Sequence, residues 1–160
     1  MSVRSEYIKK YTNTVVKASK GTGLFPSLFM AQAILESGDG QSTLAAKYNN
    51  HFGIKATRDW KGKVIDMRTR EVFDGQDVYI VDGFRWYDKA KDSFFDRVKF
   101  LKENSRYQAH GVFDAKTPEA QADALQRAGY ATAPNYASTL KWIINTYDLK
   151  KLDKLLVKKN

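Results

Sequence analysis

Apolar residues recur at helical spacing from the start of the chain. Tyr7, Tyr11, Thr14, Val15 and Ala18 share one face and predict a helix over about residues 3–19. Gly21 and Gly23 stop it, and Pro26 stands where a second helix can begin. Phe29, Met30, Ala33 and Ile34 form the apolar face of that helix, which runs to about Ser37 with Gly38 as its cap. The period then changes. From Val64 to Phe73 the side chains fall into two alternating sets, the signature of a strand. Asp74-Gly75 predicts a tight turn and Val78 to Val81 the returning strand. Asp82-Gly83 reads as a second turn, followed by a further short strand from Phe84 to Tyr87.

Helical spacing returns at Phe94, Phe95, Val98 and Leu101, with Asp88 or Asp92 as candidate caps. Thr117-Pro118-Glu119 reads as a cap, a first-turn proline and a first-turn acid, opening a helix through Leu125 to about Ala128. Pro134 and Asn135 precede a helix carrying Leu140, Ile143, Ile144 and Tyr147. The tail DLKKLDKLLVKK is a short basic amphipathic helix, whose apolar face is expected to pack on the body rather than on a membrane. The pattern predicts an α+β fold, predominantly helical, with one β-hairpin lobe forming a wall of a cleft. Residues 1–160 read as one domain, without repeats or a low-complexity linker.

Composition narrows the chemistry. The 160 residues hold 27 Lys plus Arg against 18 Asp plus Glu, a formal charge of +9, and no cysteine. A disulfide scaffold and thiolate chemistry are therefore excluded. The charge points either to a well-solvated surface or to an anionic partner: nucleic acid, a membrane surface or an acidic wall polymer. His51 and His110 each stand alone, so no His-based metal site is expected. Phosphate-binding loops, dinucleotide fingerprints and nucleophile elbows are missing from the sequence. No cofactor is expected.

Carboxylates remain. Glu36 ends an otherwise apolar helix, which sets it close to the core and at the negative end of the helix dipole. Both effects disfavour its charged form and raise its pKa, as a general acid requires. The plainer alternative is a solvent-facing acid in a last turn. Glu71 shares a strand face with Met67, Thr69 and Phe73 just before the turn. It is either a charge that keeps the hairpin tip soluble or a base held across a cleft from Glu36.

The stretch AQAILESGDGQSTLA followed by NNHFGIK resembles the glucosaminidase domain of glycoside hydrolase family 73, found in autolysins, flagellar peptidoglycan hydrolases and phage lysins. The resemblance continues through TREVFDG, FRWYDKAKDSFFDRVKFL and GYATAPNYASTL, covering about residues 24–148. It implies a lysozyme-like fold and cleavage of the β-1,4 bond of peptidoglycan glycan strands. By the same resemblance Glu36 matches the general acid, Glu71 the second carboxylate, and Tyr130 and Tyr136 the tyrosines beside the cleft. Ala133 departs from the aspartate many members carry there. The mechanism stays open between inversion through water, a covalent route, and attack by the substrate's own N-acetyl group.

Phe52, Trp60, Trp86, Tyr87, Tyr130 and Tyr136 are candidates for lining a sugar groove, with the core as the favoured alternative for Phe52 and Trp86. Asn50 is expected either to cap a turn or to bind an N-acetyl group. The activity expected is that of an endo-β-N-acetylglucosaminidase, with muramidase, lytic transglycosylase and a non-catalytic wall-binding module as alternatives. The expected partners are glycan strands and, through the basic surface, the anionic envelope. A monomer is expected, without nucleic acid. The N-terminus carries no apolar run like that of a signal peptide. The expectation is synthesis in the cytoplasm and action on the wall after release or export by another system, as a phage or prophage lysin or a delivered effector would act.

Overall fold

The computed structural model describes residues 1–157. Helix α1 (Val3–Ser19) opens at Ser2, whose Oγ accepts from the Ser5 amide at 3.0 Å. Helix α2 (Pro26–Ser37) is the axis of the body. Leu28, Phe29, Met30, Ala31 and Ala33 are fully buried, so this helix is apolar nearly all round rather than amphipathic. It is followed by α3 (Thr43–Tyr48), a helix the periodicity did not predict because it lasts less than two turns.

Strands β1 (Lys63–Phe73) and β2 (Gln76–Trp86) form one antiparallel hairpin. Asp74 and Gly75 both take positive φ, 51° and 76°, as the tight turn between twisted strands demands. The second turn expected at Asp82-Gly83 does not form. Asp82 pairs with Met67 and Gly83 with Asp66, so β2 runs unbroken from the turn to Trp86. The glycine serves a close approach instead: its carbonyl accepts from the Ala56 amide at 2.9 Å, and a Cβ there would crowd Val64 at 3.1 Å. Residues 54–56 thus lie along the outer edge of β2, with Lys55 bridged to Phe84. This ties the base of the hairpin to the body while its tip projects.

The remaining helices are α4 (Ala90–Glu103), α5 (Ser105–Ala109), α6 (Pro118–Arg127), α7 (Tyr136–Thr146) and α8 (Lys150–Val157), with a 3-10 turn at Val112–Asp114. Neither expected aspartate caps α4. The cap is Lys89, without a side-chain bond, because Asp88 is drawn off to Lys63 at 2.7 Å. Thr117 does cap α6, accepting from Ala120 at 3.0 Å. The tail packs inward as expected: Leu149 and Leu152 are buried. Its last residues, 158–160, lie outside the described part. From α8, Asp153 reaches the start of α2 and accepts from the Ser27 amide at 2.8 Å and its hydroxyl at 2.7 Å. The helix that carries Glu36 is therefore capped by an acid 126 residues away.

Candidate active site

Glu36 lies in the last turn of α2, and the backbone beyond it is tightly fixed. Ser37 turns its hydroxyl back to the Ala33 carbonyl at 2.6 Å and receives the Gly40 amide at 2.8 Å. Gly38 takes the left-handed conformation that ends the helix. The Glu36 side chain is half-buried. Its Oε2 accepts from the Tyr136 hydroxyl at 2.8 Å, and its Oε1 makes no hydrogen bond among the described residues.

Behind this pair runs a polar chain through the core. Gln32, one turn before Glu36, donates its Nε2 to the Tyr136 hydroxyl at 2.8 Å. The Gln32 Oε1 accepts from the Arg97 guanidinium. Arg97 comes from α4, is wholly buried, and lies 4.1 Å over the ring of Phe29. Its Nε and Nη1 have no hydrogen-bond partner among the described residues. Burial pushes the Glu36 carboxyl above its ordinary range, while the Tyr136 hydrogen bond and the Arg97 charge hold back part of that rise. Burial in turn lowers Arg97, to about 10, which still leaves it cationic at neutral pH.

In front of Glu36 opens a cavity of about 400 Å³. Phe52, Tyr107 and Tyr130 line it from the body, Ile54 and Lys55 from the edge of the hairpin, and Arg106 from α5. Tyr130 stacks on Tyr136, their ring centres 5.8 Å apart and nearly parallel. Its hydroxyl makes no hydrogen bond among the described residues, and burial beside Glu36 keeps it protonated.

The other expected residues divide. Glu71 stands on the strand face it shares with Met67, Thr69 and, across the pair, Asp82 and Phe84. Lys55 lies on that same face, bridged to Phe84 and 3.1 Å from Asp82, and it also lines the cavity. Glu71 is therefore on the cleft side of the hairpin, but further out, and it does not line the cavity. Asn50 is corrected to a structural role. It is 1% exposed; its Nδ2 donates to the carbonyls of Ile54 and Arg85, and its Oδ1 accepts from the Ile54 amide. With both ends engaged, it fastens the cavity rim to the hairpin and has no group left for a sugar. Phe52 follows its favoured alternative: it is a buried core residue packed against Phe29 and Phe94, and it also lines the cavity. Tyr136 is buried and reaches substrate only through Glu36. Trp60 and Trp86 line a separate hollow between the hairpin base and α4.

Sequence reasoning missed Gln32, Arg97 and Arg106. A signal existed for two of them. Gln32 interrupts a helix that is otherwise apolar, and Arg97 falls on the Phe94–Leu101 face of α4, where an apolar residue belongs.

Residues 12–149 match the model of the glucosaminidase family, described as mannosyl-glycoprotein endo-beta-N-acetylglucosaminidase. The chain belongs to the glucosaminidase family. The peptidoglycan hydrolase FlgJ of Vibrio parahaemolyticus is 41% identical over 124 residues, which are 76% of this chain and 40% of that protein. The exo-glucosaminidase LytG of Bacillus subtilis is 38% identical over 135 residues, 82% of this chain and 47% of that one. This chain thus spans less than half the length of either relative. Among solved structures, the catalytic domain of the autolysin Auto from Listeria monocytogenes superposes with a TM-score of 0.84 at 32% identity, covering 96% of this chain and 89% of that domain. The glucosaminidase domain seen here has the lysozyme-like arrangement expected: a helical body, a hairpin wall, and a glutamate at the end of the central helix.

Proposed function

We propose that this chain is a peptidoglycan hydrolase that cleaves the β-1,4 glycosidic bond of the glycan strand as an endo-β-N-acetylglucosaminidase. The observation that carries the reading is Glu36: a desolvated carboxyl at the mouth of a cavity, held by Tyr136, with its second oxygen unbonded among the described residues. Glu36 protonates the leaving glycosidic oxygen. The charge that develops on the sugar is met by the Glu36 carboxylate formed in that step and by the ring and hydroxyl of Tyr130. Glu71 activates the incoming water, which requires the hairpin to close over the bound strand and bring its tip to the cavity. Family membership and the relatives named as peptidoglycan hydrolases support the substrate class.

The +9 charge supports a further part of the reading, attraction to an anionic envelope that weakens with salt. Action as a phage-type lysin, delivered to the wall by another system, fits the same charge. The test of the bond is mass spectrometry of fragments released from purified peptidoglycan. New reducing ends on N-acetylglucosamine are expected. Reducing N-acetylmuramic acid identifies a muramidase instead, and anhydro ends a lytic transglycosylase.

A further inference from the structure

The cavity at Glu36 has a neighbour along α4. Thr57 and Phe100, which border it, also border a second hollow that continues along α4. That hollow shares Trp60, Asp96 and Lys99 with a third and larger one, of about 680 Å³, lined by Trp60, Trp86 and the 47% exposed ring of Phe95. A row of three hollows with shared walls therefore leads from Glu36 between the hairpin base and α4. From Phe100 to Asp92 it follows the helix for about 12 Å, at ~1.5 Å per residue.

The far end is a prepared surface. The Trp60 indole donates to the Lys63 carbonyl at 2.9 Å and lies under the Arg85 guanidinium at 4.8 Å. Arg85 is itself fixed by Asp96 at 2.8 Å. Gly62 leaves room for the ring, since a Cβ there would stand 2.4 Å from it. Trp86 packs edge-on against Tyr48, their centres 4.9 Å apart. Fixed aromatic faces among charged groups suit sugars, whose C–H faces stack while their hydroxyls bond to the rim. The exposed ring of Phe95 and the two half-buried indoles border the same hollow, so three aromatic side chains are gathered there.

We propose that Trp60, Trp86 and Phe95 form a distal saccharide subsite, which holds the same glycan strand several sugars away from the bond being cut. The occupant follows from continuity: whatever lies at Glu36 and extends along α4 meets these rings next. The proposal rests on the glycan-hydrolase reading above and adds a preference for long strands.

The test is calorimetric binding to the Glu36→Gln protein, so that nothing is hydrolysed. The probes are long peptide-free glycan strands and a tetrasaccharide of the same sugars. Trp60→Ala and Phe95→Ser are each expected to raise the Kd for long strands about tenfold, the scale of a lost aromatic anchor, and to leave the tetrasaccharide Kd unchanged. Phe95→Ser carries the test if Trp60→Ala does not fold, because Trp60 also supports Arg85. Unchanged long-strand affinity, or equal loss for both probes, overturns the subsite. Failure of the wild type to cut peptidoglycan is a separate result. It removes the hydrolase reading, while the binding measurement still decides the groove.

Discussion

The Tyr136 hydroxyl donates to Glu36 Oε2 at 2.8 Å and so joins the first residue of α7 to the last turn of α2. The same hydroxyl accepts from Gln32, so its one proton is directed at the carboxylate. This bond favours the charged form of Glu36 and works against the burial that favours the neutral one. A general acid acts while protonated, and its activity falls as pH rises through its pKa. Tyr136→Phe removes the bond, which raises the Glu36 pKa further. The basic limb of the pH profile of kcat/KM is therefore expected to move to higher pH, with a lower rate at the optimum. A basic limb that stays in place or moves to lower pH contradicts this role.

Glu71 is half-buried on a hairpin whose outer part touches little but itself, so it can be altered without cost to the fold. Glu71→Gln is expected to lower turnover on the order of 100-fold, the scale of a lost general base, with an unchanged unfolding midpoint. Unaltered turnover removes the water-activating role and leaves attack by the substrate's N-acetyl group.

His51 is 3% exposed, with Nδ1 hydrogen-bonded to the Tyr7 hydroxyl at 2.7 Å. Burial, helped by the charge of Lys10, pushes its pKa down to about 4. The folded protein keeps His51 neutral while the unfolded chain binds a proton near the ordinary value of 6.5. Its contribution is thus complete above that value and is lost as pH falls toward about 4. Between pH 7 and pH 5 the loss is expected to be about 2 kcal/mol. Urea unfolding at the two pH values measures it, and His51→Gln is expected to show a smaller difference than the wild type. An equal difference assigns the loss to other groups.

Much of this architecture was legible. Pro26, the apolar run after it and Gly38 predicted α2 at its observed ends, and Asp74-Gly75 predicted the hairpin turn. Glu36 was marked by its place at the end of an apolar helix. What was not legible depends on partners distant in sequence. Asp82-Gly83 looks like a turn until β1 and residues 54–56 flank it on both sides. Asn50 suits a ligand as well as a loop until Ile54 and Arg85 claim its amide. Trp60 and Trp86 belong to a sugar groove by type, but only the packing of α4 against the hairpin base sets them away from Glu36.

The cap from Asp153 is the long-range contact with the plainest energetic consequence. Phe25, at the cap position of α2, offers no side-chain bond; its own amide donates to Gln121 Oε1, and Asp153 meets the Ser27 amide. Asp153→Ala is expected to lower stability by about 1–2 kcal/mol, the scale of a lost helix cap. Asp153→Asn is expected to recover part of it. Denaturant melts of both variants measure the effect, and no loss in Asp153→Ala contradicts the capping role.

The central claim is that Glu36 is the acid, and the measurement that tests it most directly is release of reducing sugar from purified peptidoglycan by the wild type and by Glu36→Gln. The account predicts that the variant is slowed by about 100-fold or more. It also predicts a melting temperature at neutral pH no lower than that of the wild type. A carboxyl whose pKa is raised on folding stabilises the fold below its unfolded pKa, and that benefit is lost as pH rises through the folded one. A folded Glu36→Gln protein that cleaves peptidoglycan at the wild-type rate contradicts the account.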